Sequence, residues 1–171
     1  RGLGDVYKRQ FMNIGLVILS YLMGSINFAY LVARFKGVNI QDLGSGNPGS
    51  SNVLRTMGKS YAIIVLIGDI LKGFIPVIIG LNYDYSLILG FVAVIGHCFP
   101  IFYKFKGGKG VATYFGAYLA FIFNHPDAFS LDIPYFKVNL VLFFIILYFG
   151  LMKIFRISAL ASLTTIILAG F

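Results

Sequence analysis

The residues best suited to chemistry lie in two short stretches that combine glycine with positive charge. The first reads Gly44-Ser45-Gly46-Asn47-Pro48-Gly49-Ser50-Ser51-Asn52-Val53-Leu54-Arg55. Closely spaced glycines leave successive backbone N–H groups uncovered, and such a nest binds anions, phosphate among them. Asn47 is a good helix cap and Pro48 suits the first helical position, so a short helix is expected to open there with an anion site at its N-terminus. On that helix Asn52 and Arg55 are three apart and Arg55 and Lys59 four apart, which puts them on one face, and Gly58 is expected to end it. The plainer alternative is an interfacial turn whose cations meet lipid headgroups. The stretch also fits GxGxxG with Asp69 downstream. A dinucleotide site needs a preceding strand and a βαβ unit, whereas this loop follows a long apolar run and Asp69 lies inside the next one, so that reading is rejected.

The second stretch runs from Gly96-His97-Cys98-Phe99-Pro100 to Phe105-Lys106-Gly107-Gly108-Lys109-Gly110-Val111-Ala112-Thr113. Its Lys-Gly-Gly-Lys-Gly core, just before an apolar helix, is a second cationic nest, and it lacks the GxxxxGK[ST] spacing of a P-loop. Lys104 and Lys106 could simply anchor the chain at a membrane surface, and His97 could be a hydrogen-bonded structural residue. Surface anchoring needs no glycines, so two glycine-cation loops together weigh against it. Ser158 and Ser162, four apart, share a helix face, although serines in such helices usually bond back to the chain. Asp69 and Lys72, three apart in an apolar run, are expected to pair with one another and to be structural. His125 has no candidate partner.

These loops must be held by membrane helices. Of the 171 residues 58% are hydrophobic and 12% charged, with 18 Phe and 11 Tyr, too much apolar surface for a soluble domain of this size. Apolar runs at 12–33, 60–81 and 85–103 are each long enough to cross a bilayer, and shorter runs follow at 110–123, 138–152 and 157–171. If every run crosses, the first, third and fifth connections hold Arg34, Lys36, Arg55, Lys59, Lys104, Lys106, Lys109, Lys153 and Arg156 against Asp42. The second and fourth hold Lys137 against Asp84, Asp127 and Asp132. By the positive-inside rule the cationic loops face the cytoplasm. The expected fold is therefore all-α, a polytopic integral membrane protein with six visible transmembrane helices. Residues 1–11 read as a non-native or disordered leading segment, and 12–171 as a single membrane-embedded domain. The net charge of +8 sits between apolar runs, which favours lipid and small anions over nucleic acid as partners. Cys98 stands alone and no Cys/His cluster has zinc spacing, so neither metal nor cofactor is expected. The sequence gives no oligomeric state.

The motifs resemble those of the bacterial acyl-phosphate:glycerol-3-phosphate acyltransferases, the PlsY family. The stretch from Ser45 to Arg55 is similar to that family's first motif, with Ser50-Ser51 where Ala-Thr is commoner. Gly96 to Pro100 with Phe105 to Thr113 is similar to the second, and Ser158 to Leu163 resembles the third less distinctly. The resemblance covers about residues 14–168. It implies acyl transfer from acyl phosphate to the 1-hydroxyl of glycerol 3-phosphate, giving lysophosphatidate and phosphate in the cytoplasmic membrane of a bacterium. It also implies a seventh helix beyond Phe171, since seven is the usual number in the family.

The loop chemistry fits such a reaction. An acyl phosphate is already activated, so positioning and charge neutralisation can supply the rate without a covalent nucleophile. The expected catalytic residues are His97, Arg55 and Lys109. The expected substrate-binding residues are Ser45, Gly46, Asn47, Gly49, Asn52, Lys106, Gly107, Gly108, Ser158 and Ser162. Arg55 can grip two phosphate oxygens at once, and His97 could orient or deprotonate the acceptor hydroxyl. The His-x4-Asp device of other glycerolipid acyltransferases is absent, because Phe102 and Ser130 stand at the required offsets. A CDP-alcohol phosphotransferase would need several intramembrane aspartates. The alternative from another class is a transporter of glycerol phosphate or another organic anion, although such sites usually lie mid-membrane within an inverted repeat. A basic membrane scaffold would leave the glycines unexplained.

Overall fold

The computed structural model describes residues 3–81 and 86–124. Every regular element among them is helical: α1 (Leu3–Ser25), α2 (Phe28–Phe35), α3 (Ser50–Met57), α4 (Lys59–Ile79), α5 (Ser86–Cys98) and α6 (Val111–Asn124), with short 3-10 turns at Ile40–Asp42 and Ile101–Tyr103. The chain divides into a unit Arg1–Phe121, which holds both glycine loops, and a unit Ile122–Phe171, of which residues 122–124 are described. The runs at 138–152 and 157–171, and with them His125, Ser158 and Ser162, lie outside the described residues.

α4 shows which solvent the fold expects. Ile63, Ile64, Ile67, Leu71 and Ile75 form its exposed stripe, while Ala62, Val65, Gly68, Asp69, Lys72 and Gly73 face inward. A helix whose outer face is apolar and whose inner face carries the charges belongs in a bilayer. Lys59–Ile79 and Ser86–Tyr103 are long and apolar enough to cross, and Asn13–Ser25 with Phe28–Phe35 forms a bent third candidate. The chain is thus an all-α, polytopic integral membrane protein. α6 is apolar but has only 14 residues.

The first crossing carries a break. The run at 12–33 is not one straight helix, since it breaks at Ile26–Asn27 with a 40° bend. Asn27 causes the break: its side-chain oxygen accepts the N–H groups of Ala29 at 3.0 Å and Tyr30 at 3.3 Å, starting a new helix. An asparagine amide competes with the helical ladder in this way wherever it can cap. Residues 3–11, read from the sequence as a leading segment, continue α1 as helix.

Helices approach closely where glycine permits. A β-carbon on Gly24 would collide with the backbone of Ala93, and one on Gly73 with the carbonyl of Thr113. These contacts press α1 onto α5 and α4 onto α6, the small-residue packing that replaces hydrophobic driving force in lipid. α2, α3 and α4 share a core of Ala29, Ala33, Ile40, Val53, Ala62 and Val65.

Candidate active site

The first glycine loop is shaped by its own helix. Asn52, in the first turns of α3 and 2% exposed, donates through Nδ2 to the carbonyl of Leu43 at 2.9 Å and accepts the N–H of Ser45 through Oδ1 at 3.0 Å. Both ends of its amide are thereby committed to the loop backbone. Gly44 (φ +56°) and Gly46 (φ +69°) take left-handed conformations that suit glycine, and a β-carbon on Gly44 would strike the Asn52 oxygen. Ser45 is left exposed at the tip.

The helix itself begins later than its sequence signals. Asn47 and Pro48 are not helical. Gly49 is the cap, extended at φ −148°, ψ 164°, with no side chain capping the first turn. Pro48 is diverted because its carbonyl accepts a 3.3 Å hydrogen bond from Asn27 Nδ2, which ties the loop to the break in the first crossing. Gly58, at φ +94°, both ends α3 and precedes α4. Arg55 and Lys59 therefore sit on different helices, and the single face expected for them does not form.

The second loop folds back over the end of α5. Gly108 donates its N–H to the carbonyl of His97 at 3.2 Å. A β-carbon on Gly107 would collide with the carbonyls of His97 and Cys98. One on Gly108 would collide with His97 Nε2 and lie 3.0 Å from the carbonyl oxygen of Pro48. Gly108 is thus the point where the two loops meet. Two tyrosine hydroxyls pin the same segment to the first crossing, Tyr21 donating to the carbonyl of Phe99 at 2.8 Å and Tyr30 to that of Lys106 at 3.0 Å. Gln41 Nε2 in turn donates to the Tyr30 hydroxyl at 2.6 Å.

Arg55, Lys106 and Lys109 are exposed. Partial burial holds the Lys109 amine below the ordinary lysine range, and the Arg55 guanidinium pushes it down further. Arg55, in the last turn of α3, and Lys109, in the second loop, thus sense each other's charge. His97, by contrast, is 3% exposed and lies under the glycine loop. Among the described residues no group of His, Cys, Asp or Glu is arranged to hold a metal ion.

Sequence reasoning missed three contributors: Asn27, Tyr21 and Tyr30. It also missed the neighbour of His97. Nδ1 of that ring lies 3.5 Å from Asp69 Oδ1, while the expected pair of Asp69 and Lys72 is present at 2.9 Å. An ionisable pair inside an apolar run was the available signal, though nothing in the spacing linked it to residue 97.

A family model described as glycerol-3-phosphate acyltransferase matches residues 14–171. The chain belongs to the glycerol-3-phosphate acyltransferase family. The family member from Aquifex aeolicus (strain VF5) is 46% identical over 110 residues, 61% of this chain and 57% of that protein. That from Endomicrobium trichonymphae is 48% identical over 122 residues, 68% of this chain and 61% of that protein. The chain spans about three fifths of the length of these two curated relatives. Among solved structures it is similar to the crystal structure of PlsY (YgiH), an integral membrane glycerol 3-phosphate acyltransferase, in the glycerol 3-phosphate form. That similarity has a TM-score of 0.75 and 38% identity, covering 91% of this chain and 73% of that one.

Proposed function

We propose that the chain transfers a fatty acyl group from acyl phosphate to the 1-hydroxyl of glycerol 3-phosphate. The hydroxyl oxygen attacks the acyl carbon, the bond from that carbon to the bridging oxygen breaks, and phosphate leaves with the electron pair. The products are 1-acyl-glycerol 3-phosphate and inorganic phosphate. The observation that carries this reading is the meeting of the two glycine loops at Gly108 and Pro48. Relatives named glycerol-3-phosphate acyltransferases support the acceptor, and the lipid setting of the helices suits a fatty donor.

In this reading Ser45, Asn47 and the backbone of Gly46 and Gly49 cradle one phosphate, with Asn52 holding their loop in shape. Gly107, Gly108 and Lys106 form the second cradle. Arg55 and Lys109 neutralise phosphate charge, including the charge that grows on the leaving group. The burial of His97 favours a positioning role, with a substrate phosphate oxygen taking the hydroxyl proton. Ser158 and Ser162 are assigned to substrate binding on the sequence alone. Residues 12–171 act as one membrane-embedded acyltransferase domain, and the loops face the cytoplasm from a bacterial cytoplasmic membrane, by the distribution of Lys and Arg.

The test incubates the purified protein with acyl phosphate and glycerol 3-phosphate. Lysophosphatidate and phosphate are expected in equal amounts, and neither acyl-CoA nor acyl carrier protein is expected to replace the donor. Absence of product would defeat the proposal, and uptake of glycerol 3-phosphate into vesicles without acylation would identify a transporter instead.

A further inference from the structure

A buried ionic cluster lies beneath the two loops. Asp69 and Lys72, one turn apart on α4, are 2% and 4% exposed. Lys72 Nζ stands 2.9 Å from Asp69 Oδ1 and also donates a 2.7 Å hydrogen bond to the carbonyl of Ile26. That carbonyl sits at the break between α1 and α2, where the helical ladder is interrupted. From α5, His97 brings Nδ1 to 3.5 Å from the same carboxylate oxygen. The opposite edge of the ring, Nε2, is pressed against Gly108, beside the Pro48 carbonyl. The cluster therefore reaches from the bent first crossing, past α4 and α5, to the seam between the loops.

Such a cluster is a poor device for stability alone. Two charges withdrawn from water inside a membrane protein gain little over apolar packing of the same volume, and ionisable residues at that depth generally serve function. Its geometry has a specific consequence for His97. Which ring nitrogen carries the proton is decided by what the other nitrogen faces. A carboxylate accepts and cannot donate, so its place beside Nδ1 favours the proton there.

Resting on the acyl-transfer reading above, we propose that Asp69 and Lys72 are positioning residues that set the register of the two glycine loops through His97. Asp69 holds the imidazole as the Nδ1–H tautomer with Nε2 turned to Gly108. Lys72 balances the carboxylate and at the same time anchors the Ile26 carbonyl, so one cluster fixes the base of both loops. Neither residue touches substrate. Their effect on rate passes through the placement of Gly107, Gly108 and Pro48, where a shift of about 1 Å can cost on the order of 10²-fold.

The test is nitrogen NMR of the detergent-purified protein with labelled histidine, the His97 signals being assigned with a His125→Gln variant. The wild-type spectrum, which requires no substitution near the cluster, is expected to show His97 as the Nδ1–H tautomer. Asp69→Asn is expected to shift the ring toward the other tautomer and to lower kcat on the order of 10²-fold in protein that remains folded. A wild-type Nε2–H tautomer overturns the proposal. So does an Asp69→Asn spectrum identical to wild type, or a changed spectrum with an unchanged rate. If the wild-type protein transfers no acyl group at all, the functional reading fails separately, and the tautomer still decides how Asp69 acts on His97.

Discussion

Gly108 donates its backbone N–H to the carbonyl of His97 at 3.2 Å, and its α-carbon lies against the imidazole of the same residue with no room for a side chain. The end of α5 and the second glycine loop are locked together by that double contact. Because Pro48 closes on the same glycine, the lock extends to the first loop.

Gly108→Ala must therefore move either the ring or the loop. Overpacking of this kind costs about 1–3 kcal/mol, and acyl transfer is expected to fall on the order of 10²-fold from the displaced loop. Gly37→Ala is the control: Gly37 has φ +70° but nothing within 4 Å of a new β-carbon, so it should lose stability from backbone strain while keeping activity. Melting temperature and turnover of the two variants, measured side by side, check the contrast.

Asn52 acts on the loop backbone from inside the helix that follows it. Asn52→Ala leaves the Ser45 N–H without its acceptor, at a cost of about 1–3 kcal/mol, and leaves the Leu43 carbonyl with the Gly46 N–H alone. KM for a phosphate substrate is expected to rise more than kcat falls, since the cradle loosens while Arg55 and Lys109 remain. Steady-state kinetics would show the split, and equal loss in both constants would argue for a direct contact with the reacting atoms.

Asn27 should control both the bend and the site. Asn27→Leu removes a cap worth about 1 kcal/mol and the hydrogen bond to Pro48, and leucine favours a helix running straight on. Lower thermal stability together with weaker phosphate binding is the expected outcome. Stability alone would change if the bend had no part in placing the first loop.

The depressed Lys109 amine gives binding a definite pH dependence. Below its folded-state pKa the charged amine is disfavoured by burial and by Arg55, and the fold carries that penalty in full. Between that pKa and the ordinary 10.5 the unfolded chain binds more protons, so stability rises with pH. Phosphate affinity runs the other way and falls as Lys109 loses its proton. Arg55→Gln removes the repelling charge, which should move this fall to higher pH even as overall affinity drops. Binding titrations of inorganic phosphate across the alkaline range test the direction.

Much of this was readable from residue order. The runs at 60–81 and 85–103 became α4 and the span from α5 through its 3-10 turn, because apolar length alone decides such elements. The glycines marked the two loops that meet at Gly108 and Pro48, since the backbone freedom of glycine is local. The break at Asn27 was hidden, for an asparagine in an apolar run caps only when its neighbours let the helix turn. The start of α3 was misplaced for a similar reason: Pro48 is drawn away by Asn27, a partner 21 residues distant. The contact between Asp69 and His97 depends on how α4 and α5 rotate against each other, which periodicity within either helix does not report.

The central claim is that Arg55, from α3, and Lys109, from the second loop, serve one phosphate-binding seam, and a double-mutant cycle tests it most directly. With kcat/KM measured for Arg55→Gln, Lys109→Gln and the double variant, residues sharing one ligand should couple, leaving the double variant little worse than the weaker single one. Losses that simply multiply would place the two cations at independent sites and contradict the account.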